Sequence, residues 1–225
     1  MIVLYTDYGL NGPYLGQVKH ILHYEAPKVP VLDLFANAPT YNPKAAAYLF
    51  SAYNVEFPLG TVFFAVVDPG VGGKRKPGIL EADGRWYVGP DNGLFELIIR
   101  RAYRKPRWWD IVWQPDHLSA TFHGRDLFAP IAARLACGNT PDKDAIRGAD
   151  FREKPIDDLR RPEWPDDLAE IIYIDDFGNA LTGFLFKMLP RNADVSINNL
   201  SIPHGIFFWM FPKKAYFIIK ILADC

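Results

Sequence analysis

Cysteine is scarce: the 225 residues hold two, Cys137 and the terminal Cys225. Two cysteines cannot build a disulfide framework, so apolar packing has to hold the fold. A reducing cytoplasm is the compartment expected. Cys137, in the apolar stretch IAARLAC, reads as a packed core thiol. Excess charge is also absent. The chain carries 25 Lys and Arg against 26 Asp and Glu, a net −1. No global field draws in nucleic acid or an acidic membrane surface, and neither is expected as a partner. Long apolar runs are missing too. MIVLYTDYGL has no basic start and meets Asp7 too early for a signal peptide. The most apolar late stretch, GIFFWMFPKKAYFIIKIL (205–222), is split by Pro212, Lys213 and Lys214. A bilayer span needs roughly 20 apolar residues in a row.

Several catalytic signatures are missing as well. VDPGVGGKRKPG (67–78) is rich in glycine, yet Gly73-Lys74 is followed by Arg75, so no hydroxyl is placed for Mg²⁺ as in a phosphate-binding P-loop. A dinucleotide fingerprint would follow the first strand and open a helix, whereas this loop leads into another strand. No GxSxG elbow exists for a serine hydrolase. His20 and His23 are three apart, but no carboxylate–histidine set accompanies them, so no metal site is expected.

What is present is ordinary in bulk, 49% hydrophobic and 23% charged. Length suits one large domain, or one domain with a small appendage. Aromatic residues reach 15%, which fits either ligand stacking or dense packing. IVLYT (2–6) reads as strand, YLGQVKHILHYEAP (14–27) as helix, VPVLDLF (29–35) as strand, PKAAAYLFSAY (43–53) as helix and TVFFAVV (61–67) as strand. This alternation predicts an α/β fold with a largely parallel sheet. GILEA (78–82) and RWYVG (85–89) are joined by Asp83-Gly84, a hairpin signal. GLFELIIRRAY (93–103) and DLFAPIAARLACG (126–138) read as helices, and WWDIVWQ (108–114) as strand. The expected organisation is an α/β domain over 1–150, a charged linker over 151–168, and a small β domain over 169–225 with turns at Asn198-Asn199 and Pro203-His204-Gly205.

Polar residues end several of the apolar runs. Asp7 ends the first strand and Asp68 the third; Asp91-Asn92-Gly93 follows VGP, and His123 precedes a helix. Ligands of open α/β sheets bind outside the carboxyl ends of the strands, where Asp7 and Asp68 would meet. Each residue also has a plain structural reading: a turn, a buried imidazole, or for Arg125-Asp126 a local ion pair with Asp126 as helix cap. Taken alone, Lys74, Arg75 and Lys76 read as a solvated turn. IDDFGNALTG (174–183) forms a second polar strand end.

The motifs TDYGLNGPYLGQVK (6–19), VVDPGVGGKR (66–75), VGPDNGLF (88–95), SATFHGRDLFAP (119–130) and IYIDDFGN (172–179) occur in this order. Together they resemble the S-adenosylmethionine hydroxide adenosyltransferase family, which is related to fluorinating and chlorinating enzymes using the same substrate. The resemblance extends to about Thr182. It implies an α/β N-terminal domain, a small β C-terminal domain, and hydrolysis of S-adenosylmethionine to adenosine and L-methionine without a cofactor. It implies a catalytic set of Asp68, Arg75 and His123. Asp7 would bind the ribose hydroxyls, Phe122 would wall the reacting carbon, and Phe177 would join the substrate site. Asp175 would lie near the methionine amino group and Asn179 at the adenine. The family's assembly is a homotrimer with sites between subunits. An ionised Asp68 would repel halide, so water is the expected nucleophile rather than halide. Past Thr182 the family's Gly/Ser-bearing adenine segment is not matched before Cys225, so a shortened adenine site and an unpaired strand edge are expected. The alternatives are an adenosyl-binding module without turnover, a halide-using synthase, and a structural oligomer.

Overall fold

The computed structural model describes residues 1–141, 150–185, 195–197, 200–202, 207–208 and 216–220. Strands β1 (Ile2–Thr6) and β3 (Val62–Val66) are buried at every position. Such continuous apolar runs belong in a sheet covered on both faces. With β2 (Val31–Phe35), β4 (Pro77–Ala82), β5 (Arg85–Pro90), β6 (Arg107–Ile111) and β7 (Phe151–Lys154) they form a seven-stranded sheet ordered β2-β1-β3-β5-β4-β6-β7. The β2, β1, β3 and β5 neighbours are parallel, while β4, β6 and β7 add on antiparallel pairings. Helices α1 (Tyr14–Glu25) and α4 (Ala129–Ala136) cover one face, packing Val18, Leu22 and Ile131 on Ile2, Leu4 and Phe64. Helices α2 (Pro43–Tyr53) and α3 (Glu96–Arg101) cover the other, packing Tyr48, Phe50 and Leu97 on Val3, Tyr5 and Phe63. The alternation of β1 residues between these two cores is the period-2 pleat.

The Asp83-Gly84 hairpin forms as expected. Asp83 (φ 49°) and Gly84 (φ 73°) are both left-handed, as a type I′ turn requires. Three details differ from the sequence reading. Cys137 is exposed, because it caps the end of α4 where Gly138 (φ 90°) turns the chain outward. The helix expected from 126 starts earlier, as a π-helical turn over Gly124–Phe128. Residues 151–154, read as the start of a linker, pair with β6 as β7. The rest of that segment makes a 3₁₀ turn at Ile156–Leu159 and is tied to buried Glu96 by Arg160 and Arg161.

Beyond it, β8 (Leu168–Ile174) and β9 (Asn179–Leu185) pair antiparallel, with β12 (Phe207–Phe208) and β13 (Tyr216–Lys220) completing a sheet ordered β12-β13-β9-β8. Strands β10 (Val195–Ile197) and β11 (Leu200–Ile202) form a separate pair. Leu168, Ile172 and Leu181 join the core under α2. The expected turns at 198–199 and 203–205, and the expected shortening of the adenine site, lie outside the described residues. Among the described residues no helix is long and apolar enough to cross a membrane.

Candidate active site

Register brings the acids together. β1 and β3 are parallel neighbours with Thr6 opposite Val66, so Asp7 and Asp68 leave the same sheet edge. Asn92, just past β5, donates from Nδ2 to the Val67 carbonyl at 2.8 Å and fixes the start of the next loop. Asp68 then begins a tight excursion, closed by Gly73 N donating to Gly70 O at 2.9 Å. Gly72 (φ 75°) passes so close to the 119–123 segment that a Cβ would lie 2.4 Å from the Ala120 carbonyl oxygen. The excursion returns Arg75 onto Asp68. Its Nε donates to Oδ2 at 2.9 Å and Oδ1 at 3.1 Å, and Nη2 also bonds Oδ2. The two side chains are 9% and 5% exposed, so this is a buried, charge-assisted fork. The basic cluster therefore does not behave as one solvated group: Arg75 turns inward.

His123 arrives from the other side, at the entry to the π-helical turn. Such turns are frequent at functional sites. Gly124 is required there, because a Cβ would fall 2.0 Å from the Tyr8 hydroxyl. His123 Nδ1 lies 3.0 Å from Arg75 Nη2. A guanidinium only donates, so Nδ1 accepts and the ring proton of the neutral imidazole sits on Nε2, a tautomer assigned from this bond. Burial, then the Arg75 charge, push the imidazole pKa below its ordinary 6.5. Asp7 accepts from Tyr41 N at 3.1 Å. Burial raises its pKa, opposed by backbone hydrogen bonds and reinforced by the Asp68 charge.

These groups face a cleft of about 270 Å³ lined by Asp7, Asp68, His123 and Phe122, with a rim of Tyr8, Tyr14 and Tyr41. Phe122 is set edge-on to Tyr8 and Tyr14, with ring centroids 5.9 and 5.3 Å apart, and Arg125 lies over its face at 5.1 Å. Arg75 is not on the cleft surface; it stands behind Asp68. The structure thus gathers Asp7, Asp68, Arg75, Phe122 and His123 in one place. Asp175, Phe177 and Asn179 are elsewhere, on the β8–β9 turn. Asp175 accepts from Phe177 N (2.9 Å), Asn179 N (2.8 Å) and Asn179 Nδ2 (2.8 Å). Burial pushes the Asp175 pKa up, but these bonds outweigh it and hold it below the usual value. Phe177 is 83% exposed.

Other candidates have structural partners away from the cleft. Asp91 is paired with Lys154 at 3.2 Å and Arg161 at 3.6 Å. Asp126 pairs with Arg125 at 2.6 Å and accepts from Ser119 N at 2.9 Å rather than capping a helix. No group of metal-binding side chains occurs among the described residues. The cleft also contains residues that the sequence reading passed over: Tyr8, Tyr14, Thr40 and Tyr41. Tyr8 and Tyr14 flank the Gly/Pro turn after Asp7, which was signal enough. Tyr41 carried none, since its role depends on a left-handed backbone (φ 55°) in the β2–α2 connection.

An open α/β sheet with paired acids, a guanidinium and an imidazole at its carboxyl edge defines a small-molecule enzyme of the acid–base class. Residues 2–144 match the SAM hydroxide adenosyltransferase N-terminal domain, and the chain belongs to that family. The (R)-S-adenosyl-L-methionine hydrolase of Thermus thermophilus is 37% identical over 227 residues, 93% of this chain and 84% of its own. That of Salinispora arenicola is 36% identical over 85% of this chain and 76% of its own. Among solved structures, an uncharacterized conserved protein from Thermotoga maritima superposes with a TM-score of 0.69 at 28% identity, covering 83% of this chain and 73% of its own. A conserved hypothetical protein from Thermus thermophilus gives 0.68 at 35% identity, covering 90% and 79%.

Proposed function

We propose that this chain hydrolyses S-adenosyl-L-methionine to adenosine and L-methionine by attack of water or hydroxide at C5′ of the ribose. The observation that carries this reading is the Asp68–Arg75–His123 cluster set against the cleft of a chain in this family. The C5′–O bond forms as the C5′–S bond breaks. The departing electron pair neutralises the sulfonium, leaving the thioether of methionine. The sulfonium is itself the leaving group, so the reaction calls for no cofactor. Water lacks only position and nucleophilicity, and holding it in line supplies the proximity contribution.

The hydrogen bonds divide the labour. His123 Nδ1 already accepts from Arg75, so the cleft-side donor of the neutral ring is Nε2–H. That atom can hold a water or hydroxide oxygen but cannot take its proton. Asp68 can, because its oxygens keep lone pairs beyond those used by Arg75. Arg75 is the positioning residue that fixes both. In this reading Asp7 accepts the ribose hydroxyls and Phe122 walls the reacting carbon. Asp175, Asn179 and the exposed Phe177 reach a cleft from a neighbouring subunit of a cytoplasmic homotrimer, gripping the methionine amino group and the adenine. Native mass spectrometry tests the trimer.

The reaction is tested with S-adenosylmethionine in heavy-oxygen water. Equimolar adenosine and methionine, with the label in the adenosine 5′-hydroxyl, is the expected result. A 5′-halo-adenosine in the presence of halide would overturn it. Two outcomes follow in kinetics. Protonating His123 destroys the acceptor facing Arg75. Because its pKa is held below the ordinary value, activity should stay level from about pH 8 to about 6.5 and fall only at lower pH, as a pH–rate profile will show. Asp7→Asn should raise KM about tenfold, the cost of one charge-assisted contact, while kcat changes much less.

A further inference from the structure

A second cavity lies behind the catalytic cluster. Its volume is about 600 Å³, within the roughly 300–1,000 Å³ range of small-molecule sites. His123 borders both spaces, whereas Arg75 borders only the second. The floor is apolar, with Ile111, Leu118, Leu127 and the Trp113 ring. The charged groups facing it are Lys74, Arg75, Lys76 and Arg152 against one carboxylate, Asp110. Asp110 and Arg152 sit opposite each other in the β6–β7 register, and Asp110 also accepts from Trp108 Nε1 at 2.8 Å. Arg75 is paired with Asp68, which leaves Lys74 and Lys76 as the lining cations with no ion-pair partner among the described residues. Within Arg75, Nε and Nη2 are taken by Asp68 and His123. Nη1 has no acceptor among the described residues.

We propose that this cavity is a second binding site for a small organic anion with an apolar body, an aryl carboxylate or aryl phosphate, whose charge is received by Arg75 Nη1, Lys74 and Lys76 while its ring rests on Trp113 and Leu118. The chemistry fits part by part: an unpartnered guanidinium nitrogen, two flexible ammonium groups at the mouth and an aromatic wall. An anion there pulls on the guanidinium that fixes Asp68 and His123, so occupancy slows turnover without competing for the substrate cleft. That last consequence rests on the hydrolase reading; the binding does not.

The test is titration calorimetry of the whole protein with benzoate and with phenyl phosphate, in the presence and absence of saturating adenosine. One molecule should bind per chain, equally with and without adenosine. The Lys74→Glu/Lys76→Glu double variant should weaken binding about tenfold or more, as loss of charge-assisted contacts does. Leu118→Trp should abolish it by filling the space, with a melting curve confirming that each variant folds. In wild type the same probes should lower kcat and leave KM for S-adenosylmethionine unchanged. No binding by either probe, competition by adenosine, or equal affinity in the lysine variant overturns the site. Binding that leaves kcat untouched overturns the contact with Arg75. If wild type turns nothing over, the hydrolase reading fails while calorimetry still decides this one.

Discussion

Asp68→Asn is expected to lower kcat about a thousandfold, within the range assigned to a positioned acid–base group, with little change in KM. The substitution keeps size and shape but removes both functions proposed for the carboxylate. The amide can no longer accept the proton of attacking water. It also removes the charge that compensates buried Arg75, whose Nε and Nη2 both bond Oδ2. With the amide oxygen at the Oδ2 position both arginine donors keep an acceptor, but a neutral one; turned the other way, Nη2 meets an NH₂ donor. Arg75 is left as an uncompensated buried charge, which weakens its hold on His123. Asparagine therefore does more damage than the loss of one proton acceptor. Single-turnover measurement of adenosine release gives the rate, and calorimetry with adenosine tests whether the cleft survives. Retained adenosine binding with turnover lost places the effect on chemistry. A variant that keeps a tenth of the wild-type rate would remove Asp68 from the mechanism.

This cluster also shows what a sequence can carry. Asp7 and Asp68 were readable because each closes a buried apolar run, and parallel neighbours in register deliver such endings to one edge. His123 was readable as a polar residue poised before a helix. The coupling of Arg75 to both was not. It depends on how a glycine-rich loop folds back, and composition there matches a solvated turn. The separation of Asp175, Phe177 and Asn179 from the cleft was foreshadowed instead, since the expected domain boundary puts them in the small β region. β7 escaped notice because FREK is a short, charged edge strand whose pairing with β6 comes from tertiary context. Cys137 misled because an apolar neighbourhood does not fix burial at the last residue of a helix.

Glu96→Ala is expected to cost about 3 kcal/mol of stability, the scale for stranding the partners of a buried ion cluster. For a chain of this size that is a fall in Tm of about 10 °C. Glu96 has no exposed side-chain surface and accepts from Arg100 Nη2 at 2.7 Å, Arg160 Nη2 at 3.1 Å and Arg161 N at 2.9 Å. Burial pushes its pKa up, but the bonds from Arg160, Arg161 and Arg100 outweigh it and leave the carboxyl below its ordinary 4.5. The sign follows: a depressed acid adds stability above its unfolded value, and that contribution is lost as pH falls below about 4.5 and through the lower folded value. Acid melts of wild type should therefore converge on those of the variant, while the two stay apart near neutrality. Glu96→Gln, which keeps an acceptor but no charge, should fall between them. The cluster also bears on function, because Arg160 and Arg161 lead into β8 and so to the turn holding Asp175, Phe177 and Asn179. Loosening it should raise KM for S-adenosylmethionine more than it lowers kcat, the reverse of Asp68→Asn. Melting temperatures of wild type and Glu96→Ala that coincide at neutral pH would show that packing on α2, not this carboxylate, holds the segment in place.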